Sequence, residues 1–153
     1  MGLHEADVGG LASKMLQNAD IKQALKEAGF EIYRVTKGGV HLAERVRENL
    51  IMDARIKVQT THVSFSTRAR GGDFPEEARE DLFARARSLG TNAVANGYTE
   101  SSSFVTDLPD PSDPSRTLDT WYEVEFAKPV SDMAGAIDEA RFVLKQVRKA
   151  SRS

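Results

Sequence analysis

Few of the residues that could do chemistry in this chain stand at spacings that would let them. Histidine occurs three times, as His4, His41 and His62, and none lies three or four residues from another. A zinc centre needs three or four convergent nitrogen, sulfur or oxygen ligands. Cysteine is absent, which removes disulfides, thiolate metal sites and a cysteine nucleophile, and fits a reducing compartment. Neither a metal nor a cofactor is expected. Asp107, Asp110, Asp113 and Asp119 could offer oxygens to a hard cation, but the EF-hand spacing and its loop glycine are missing. Aspartate beside proline is common turn chemistry. The pairs Gly9-Gly10, Gly38-Gly39 and Gly71-Gly72 lack the Lys-Ser/Thr of a phosphate-binding loop and the dinucleotide spacing, and read as hinges. Ser101-Ser102-Ser103 has no G-x-S-x-G setting. Glu123 and Glu125 alternate on what reads as the wet face of a strand, and carboxylate-pair hydrolysis would need a cleft there. No catalytic residue is assigned.

The main cations are Arg68, Arg70, Arg79, Arg85 and Arg87, with Lys145, Arg148, Lys149 and Arg152 near the end. The terminal group could meet nucleic acid or lipid headgroups. Cations in a helix's last turn already stabilise it through the dipole, which is the simpler account. A net charge of −2 gives no strong pull towards either polyanion, so no nucleic-acid partner is expected. The 153 residues, 40% hydrophobic and 29% charged, suit one domain with a real core. No apolar run approaches the roughly 18 residues of a membrane span. Met1–Asp7 lacks a secretory pattern, and Ala6 stands where myristoylation wants Ser or Thr. A cytoplasmic protein is expected.

These residues need elements to position them. Residues 1–18 read as a loosely ordered segment, with Val8, Leu11, Met15 and Leu16 spaced for a short helix; 19–153 read as a single α+β domain. Asp20 suits the N-cap of a helix over Ile21–Ala28, stopped by Gly29. Glu31–Val35 fits a short strand. Val40–Met52, with Leu42, Ala43, Val46, Leu50 and Ile51 on one stripe, fits a helix. Arg55–Arg68 reads as one strand whose apolar phase changes between Val58 and Val63, predicting a bulge near Thr60-Thr61-His62. Pro75 suits the first turn of a helix with Phe74, Ala78, Leu82, Phe83, Ala86 and Leu89 inward, ended by Gly90. Asn92 to Val105 reads as a strand of small side chains, with Ala93, Ala95 and Gly97 on one face. Thr106–Asp119 reads as an ordered loop or flap, because three prolines sit among four aspartates. Thr120–Lys128 alternates as a strand closed by Pro129. Ser131 or Asp132 caps a last helix, 131–150, in which Met133, Ile137, Ala140, Leu144 and Val147 recur in an a/d pattern.

Strand, helix, strand, strand across 55–128 makes a βαββ unit, an antiparallel-rich sheet flanked by N-terminal helices and a C-terminal amphipathic helix. The junction Ala84-Arg85-Ala86-Arg87-Ser88-Leu89-Gly90-Thr91-Asn92-Ala93-Val94 resembles that of the YbjQ-like bacterial proteins, small βαββ units described as heavy-metal-binding. The resemblance covers about half of the chain and implies assembly into rings through sheets and helices. Thr91 stands where that family has Ala, the Val-Gly pair after Val94 is missing, and the scattered histidines lend the metal label no support.

Two functions are open on this basis. The leading expectation is a non-enzymatic scaffold, a self-assembling or partner-binding module. It would be a homo-oligomer, with Met133, Ile137, Ala140, Leu144 and Val147 as the helix–helix seam. The alternative is a small-ligand binder or enzyme with a pocket under the 106–119 loop, lined by Tyr98, Arg116 and Trp121.

Overall fold

The computed structural model describes residues 17–43, 45–46, 49–50 and 54–151. Their elements in chain order are α1 (Asn18–Glu27), β1 (Ile32–Thr36), β2 (Gly39–Leu42), β3 (Arg45–Val46), β4 (Asn49–Leu50), β5 (Ala54–Val58), β6 (His62–Arg70), α2 (Arg79–Ser88), α3 (Thr91–Ala95), β7 (Thr99–Asp110), β8 (Asp113–Pro129) and α4 (Met133–Ser151). Six strands form one antiparallel sheet in the order β1-β2-β5-β6-β8-β7, and β3 pairs with β4 in a separate two-stranded sheet. The fold is α+β, as expected. Its βαββ portion runs from β6 through α2 and α3 to β7 and β8.

Alternation assigns the two sheet faces. Val40, Val58 and Val63 are cross-strand neighbours, as are Leu42, Ile56, Phe65 and Phe126. All are buried in one cluster with Ile21 and Leu25 of α1, Leu82 and Ala86 of α2, Ala93 of α3, and Met133, Ala136, Ala140, Val143 and Val147 of α4. The helices therefore share one face of the sheet. Each fully buried Val, Leu, Ile or Phe adds roughly 1.5–3 kcal/mol of burial free energy. On the other face stand Arg34, His41, Lys57, Arg55, Ser64, Ser66, Arg68, Glu123, Glu125 and Trp121, a polar set held by the same alternation.

Several expectations are corrected. The Val40–Met52 helix is not formed: Gly39–Leu42 is a strand, and 45–46 with 49–50 pair as strands, while 44, 47–48 and 51–53 lie outside the described residues. Val40 and Leu42 fit both a strand and a helix period, and the Gly38-Gly39 pair before them is hairpin chemistry. Asp20 lies inside the first turn of α1, which begins at Asn18 after Gln17. The expected segment 1–18 falls outside the described residues except for Gln17 and Asn18.

The bulge at 60–62 is instead a reversal. Gln59 N–H donates to His62 O at 2.9 Å, and Val58 faces Val63 while Ile56 faces Phe65. Turning the chain puts even-numbered residues of β5 beside odd-numbered residues of β6, which is the phase change seen in the sequence. Pro75 precedes α2: it sits second in a turn closed by Glu77 N–H donating to Phe74 O at 3.1 Å, where its fixed φ is pre-set. Arg85 holds that turn, pairing with Glu77 and lying 3.9 Å over the Phe74 ring.

Asn92–Ala95 is helical rather than extended, and Asn96-Gly97 is a turn. Thr91–Ala95 forms α3, and Gly97, at φ 97°, takes the left-handed conformation that turns the chain into β7. Only Ala93 of the small residues is buried. Residues 106–119 are the outer half of a long β7–β8 hairpin whose turn is Asp110–Asp113. Pro109 is tolerated because β7 is an edge strand with register shifts around it, and Asp110 accepts from Ser112 N–H and Oγ to fix the turn.

In α4, Asp132 Oδ1 caps the helix by accepting from Gly135 N–H at 2.7 Å. Met133, Ala140 and Val147 of the expected seam are buried in the chain's own core, together with Ala136 and Val143. The apolar face is thus wider than the a/d reading and lies on β5 and β6. Ile137 and Leu144 are half-buried on its flank.

Candidate functional site

The polar sheet face carries the chemistry. Arg68 on β6 faces Glu123 on β8, and both side chains are withdrawn from solvent, at 1% and 0% exposure. Arg68 donates to Glu123 Oε1 from Nη2 at 2.9 Å and from Nε at 3.3 Å. Thr106 Oγ1 donates to Glu123 Oε2 at 2.8 Å, so both carboxylate oxygens are engaged. The Arg68 guanidinium lies 3.5 Å over the Trp121 ring, a cation–π contact strengthened by the loss of water. Ser66 Oγ and Trp121 Nε1 are buried here without a hydrogen-bond partner among the described residues. Removing such groups from water unpaired costs roughly 1–3 kcal/mol each.

A second feature lies beside this pair. Arg34, His41, Lys57 and Ser64 are successive cross-strand partners on β1, β2, β5 and β6, and Arg55 faces Ser66 in the next row. Such neighbours stand about 4.5–5.5 Å apart at Cβ, and like charges directly opposite are destabilising. His41 is held below the ordinary histidine range by partial burial first, then by the positive charges of Arg34, Lys57 and Arg55. Its Nε2 meets Thr36 Oγ1 at 3.1 Å.

Of the residues expected to line a pocket, none are brought together. Arg116 is exposed near the hairpin tip, Trp121 lies on the polar face under Arg68, and Tyr98 sits in the core on the opposite side. Tyr98 packs on Phe65 and Phe142 and donates to Glu139 Oε1 at 3.1 Å. The 106–119 segment is strand rather than a lid. An open cleft of about 500 Å³ lies elsewhere, between the start of α1 and the turns at Lys37-Gly38 and Gln59-Thr60-Thr61. His62 bonds Thr61 at 2.9 Å, His4 lies outside the described residues, and among the described residues no three His, Asp or Glu converge.

Sequence reasoning missed both polar features because it placed Glu123 on a wet face and Val40–Met52 in a helix. The findable signal was alternation: Ser64-x-Ser66-x-Arg68 sets small and charged residues on one side of a strand that is apolar on the other.

Burial and the neighbouring Glu139 carboxylate push the Tyr98 phenol well above its ordinary value. Folding thus prefers protonated Tyr98, and its contribution is present below the unfolded value near pH 10 and is lost as pH rises beyond it. In alkaline titration followed by tyrosine absorbance, one of the three tyrosines is expected to ionise only as the protein unfolds. Tyr98→Phe should remove that delayed step and cost about 1 kcal/mol.

No protein-family model, curated protein or solved structure matches this chain. Among the described residues no helix is long and apolar enough to cross a membrane.

Proposed function

We propose that this protein is a non-enzymatic self-assembling module whose partner is a second copy of the chain, joined through the two free edges of the sheet. The single observation that carries this is that β1 and β7 end the strand order, each paired with a strand on one side only among the described residues. Strand edges present unpaired N–H and C=O groups that template further pairing. The edges are complementary. β7 carries Glu100, Asp107 and Asp110 and no base, whereas β1 carries Arg34 and is followed by Lys37. Arg87 already pairs with Glu100, which leaves Asp107 and Asp110 as the outward charge. Each edge also exposes an apolar side chain on the helix-bearing face, Val35 on β1 and Val105 on β7. A sheet continued from β7 of one copy into β1 of the next would set these valines on the same face. Such a head-to-tail contact closes into a ring where its rotation allows, in keeping with the resemblance to the YbjQ-like proteins. A cytoplasmic setting accords with the absence of cysteine. In this reading α4 contributes only its flank at Ile137 and Leu144.

Light scattering of the wild type should return a multiple of the 16.8 kDa chain, falling at high salt as the edge charges are screened. Val35→Lys and Val105→Lys, each alone, should lower the mass to that of the monomer and keep the circular dichroism. A monomer mass for the wild type across a wide concentration range rejects the proposal, as does an oligomer indifferent to both changes.

A further inference from the structure

We infer that the polar sheet face over β1, β2 and β5 is a binding site for a compact dianionic oxyanion, a phosphate group, held by Arg34, His41, Lys57 and Arg55. The register carries this first. Arg34 faces His41 and His41 faces Lys57, while Arg55 precedes Lys57 by two residues and so shares its face. Four basic side chains thus occupy one patch three strands wide. Among the described residues Arg34 and Lys57 have no carboxylate partner, and Arg55 reaches only Glu123 Oε1, at 3.8 Å, an oxygen already bound by Arg68. The groups facing His41 from neighbouring strands are Arg34, Arg55 and Lys57; Arg68, Glu123 and Glu125 lie further along the same face. Arg68 binds Glu123, and Glu125, which accepts from Ser101, stands two strands from Arg55 in the next row, so among the described residues no carboxylate pairs with Arg34 or Lys57.

A sheet rarely retains like charges directly opposite one another without compensation, because they repel. The second observation is Ser66. It sits directly across from Arg55, is 97% buried, and its Oγ has no hydrogen-bond partner among the described residues. An unsatisfied hydroxyl beside Arg55, whose nearest carboxylate oxygen is 3.8 Å away and shared with Arg68, is an arrangement that an oxyanion satisfies. Two or more negative charges are needed to offset the row, which favours a phosphate group over a carboxylate. Burial first, and then Arg34, Lys57 and Arg55, lower the proton affinity of His41, and an anion beside it would favour the imidazolium. The site lies on a face, and it stands or falls independently of the proposed assembly through the edges.

The test is titration of the full chain with inorganic phosphate, and separately with glycerol phosphate, while His41 is followed by NMR. Sodium chloride at matched ionic strength is the control. Saturable binding is expected, with the His41 titration midpoint raised by about one pH unit or more and binding tightening as pH falls through that midpoint. Lys57→Gln and Arg34→Gln should each weaken binding at least tenfold without changing the circular dichroism. Equal binding of the two probes means that the site reads a free phosphate group; tighter binding of the ester means that it reads a phosphorylated small molecule. Absence of saturation, the same His41 shift with chloride, or indifference to both substitutions overturns the proposal.

Discussion

Glu123→Ala is expected to destabilise the protein by about 3–5 kcal/mol, because it takes from the buried Arg68 guanidinium the carboxylate that binds it at 2.9 Å. That is a large part of the roughly 5–15 kcal/mol that holds a domain of this kind together. The loss extends beyond the pair, since Thr106 Oγ1 loses its acceptor as well. Replacing both partners by apolar groups of similar volume, Arg68→Met with Glu123→Leu, should restore stability to within about 1 kcal/mol of the wild type, since neither charge then needs a partner. Urea unfolding separates the cases: a fall in midpoint at constant slope for the single change, and recovery for the double. A single change worth less than about 1 kcal/mol would mean that water reaches the guanidinium once the carboxylate is gone.

Gly90→Ala should also be costly, by about 1–3 kcal/mol, and for a reason unrelated to backbone freedom. Gly90 has φ −97°, a conformation open to alanine. A methyl group there would fall inside contact distance of the Phe126 ring. That ring is fully buried and stacked on Phe65 at a centroid separation of 5.5 Å, so it has nowhere to move, and overpacking of this kind strains its neighbours. Gly90→Ala combined with Phe126→Leu should recover part of the loss. Were Gly90→Ala neutral or stabilising, the position would matter only through the unfolded chain's freedom.

How far the sequence announced all this varies by element. The last helix and its Asp132 cap were legible, because a capping residue and a sustained period near 3.6 point the same way. The strand at 120–128 was legible from clean alternation. Gly39–Leu42 was not, since four residues carry too few turns to separate two periods, and the apolar residues after them completed a helical stripe by coincidence. Thr91–Ala95 defeated propensity because its only buried side chain is Ala93. The prolines of 106–119 pointed away from strand, yet an edge has outward positions where a missing N–H costs nothing. The ion pair was illegible for a different reason: Arg68 and Glu123 are 55 residues apart, and alternation assigns a face without telling what covers it.

The sheet order also sets an order of events. β1–β2, β5–β6 and β7–β8 are hairpins of neighbouring segments, closed by short turns, and can form on the microsecond scale of local contacts. One seam is different. β6 meets β8 by joining residues 62–70 to residues 121–129, and it cannot close until α2, α3 and the β7–β8 hairpin have been gathered in. Loop-closure entropy therefore concentrates at that step, which should limit the folding rate. A seam so late is open to misalignment, and a slip of β8 by one residue would turn Phe126 outward while Phe65 stayed in the core. Arg68 and Glu123 stand within the seam. A slipped alignment would strand two charges in a dry place, so the pair that adds little to net stability acts as the key that admits only one alignment.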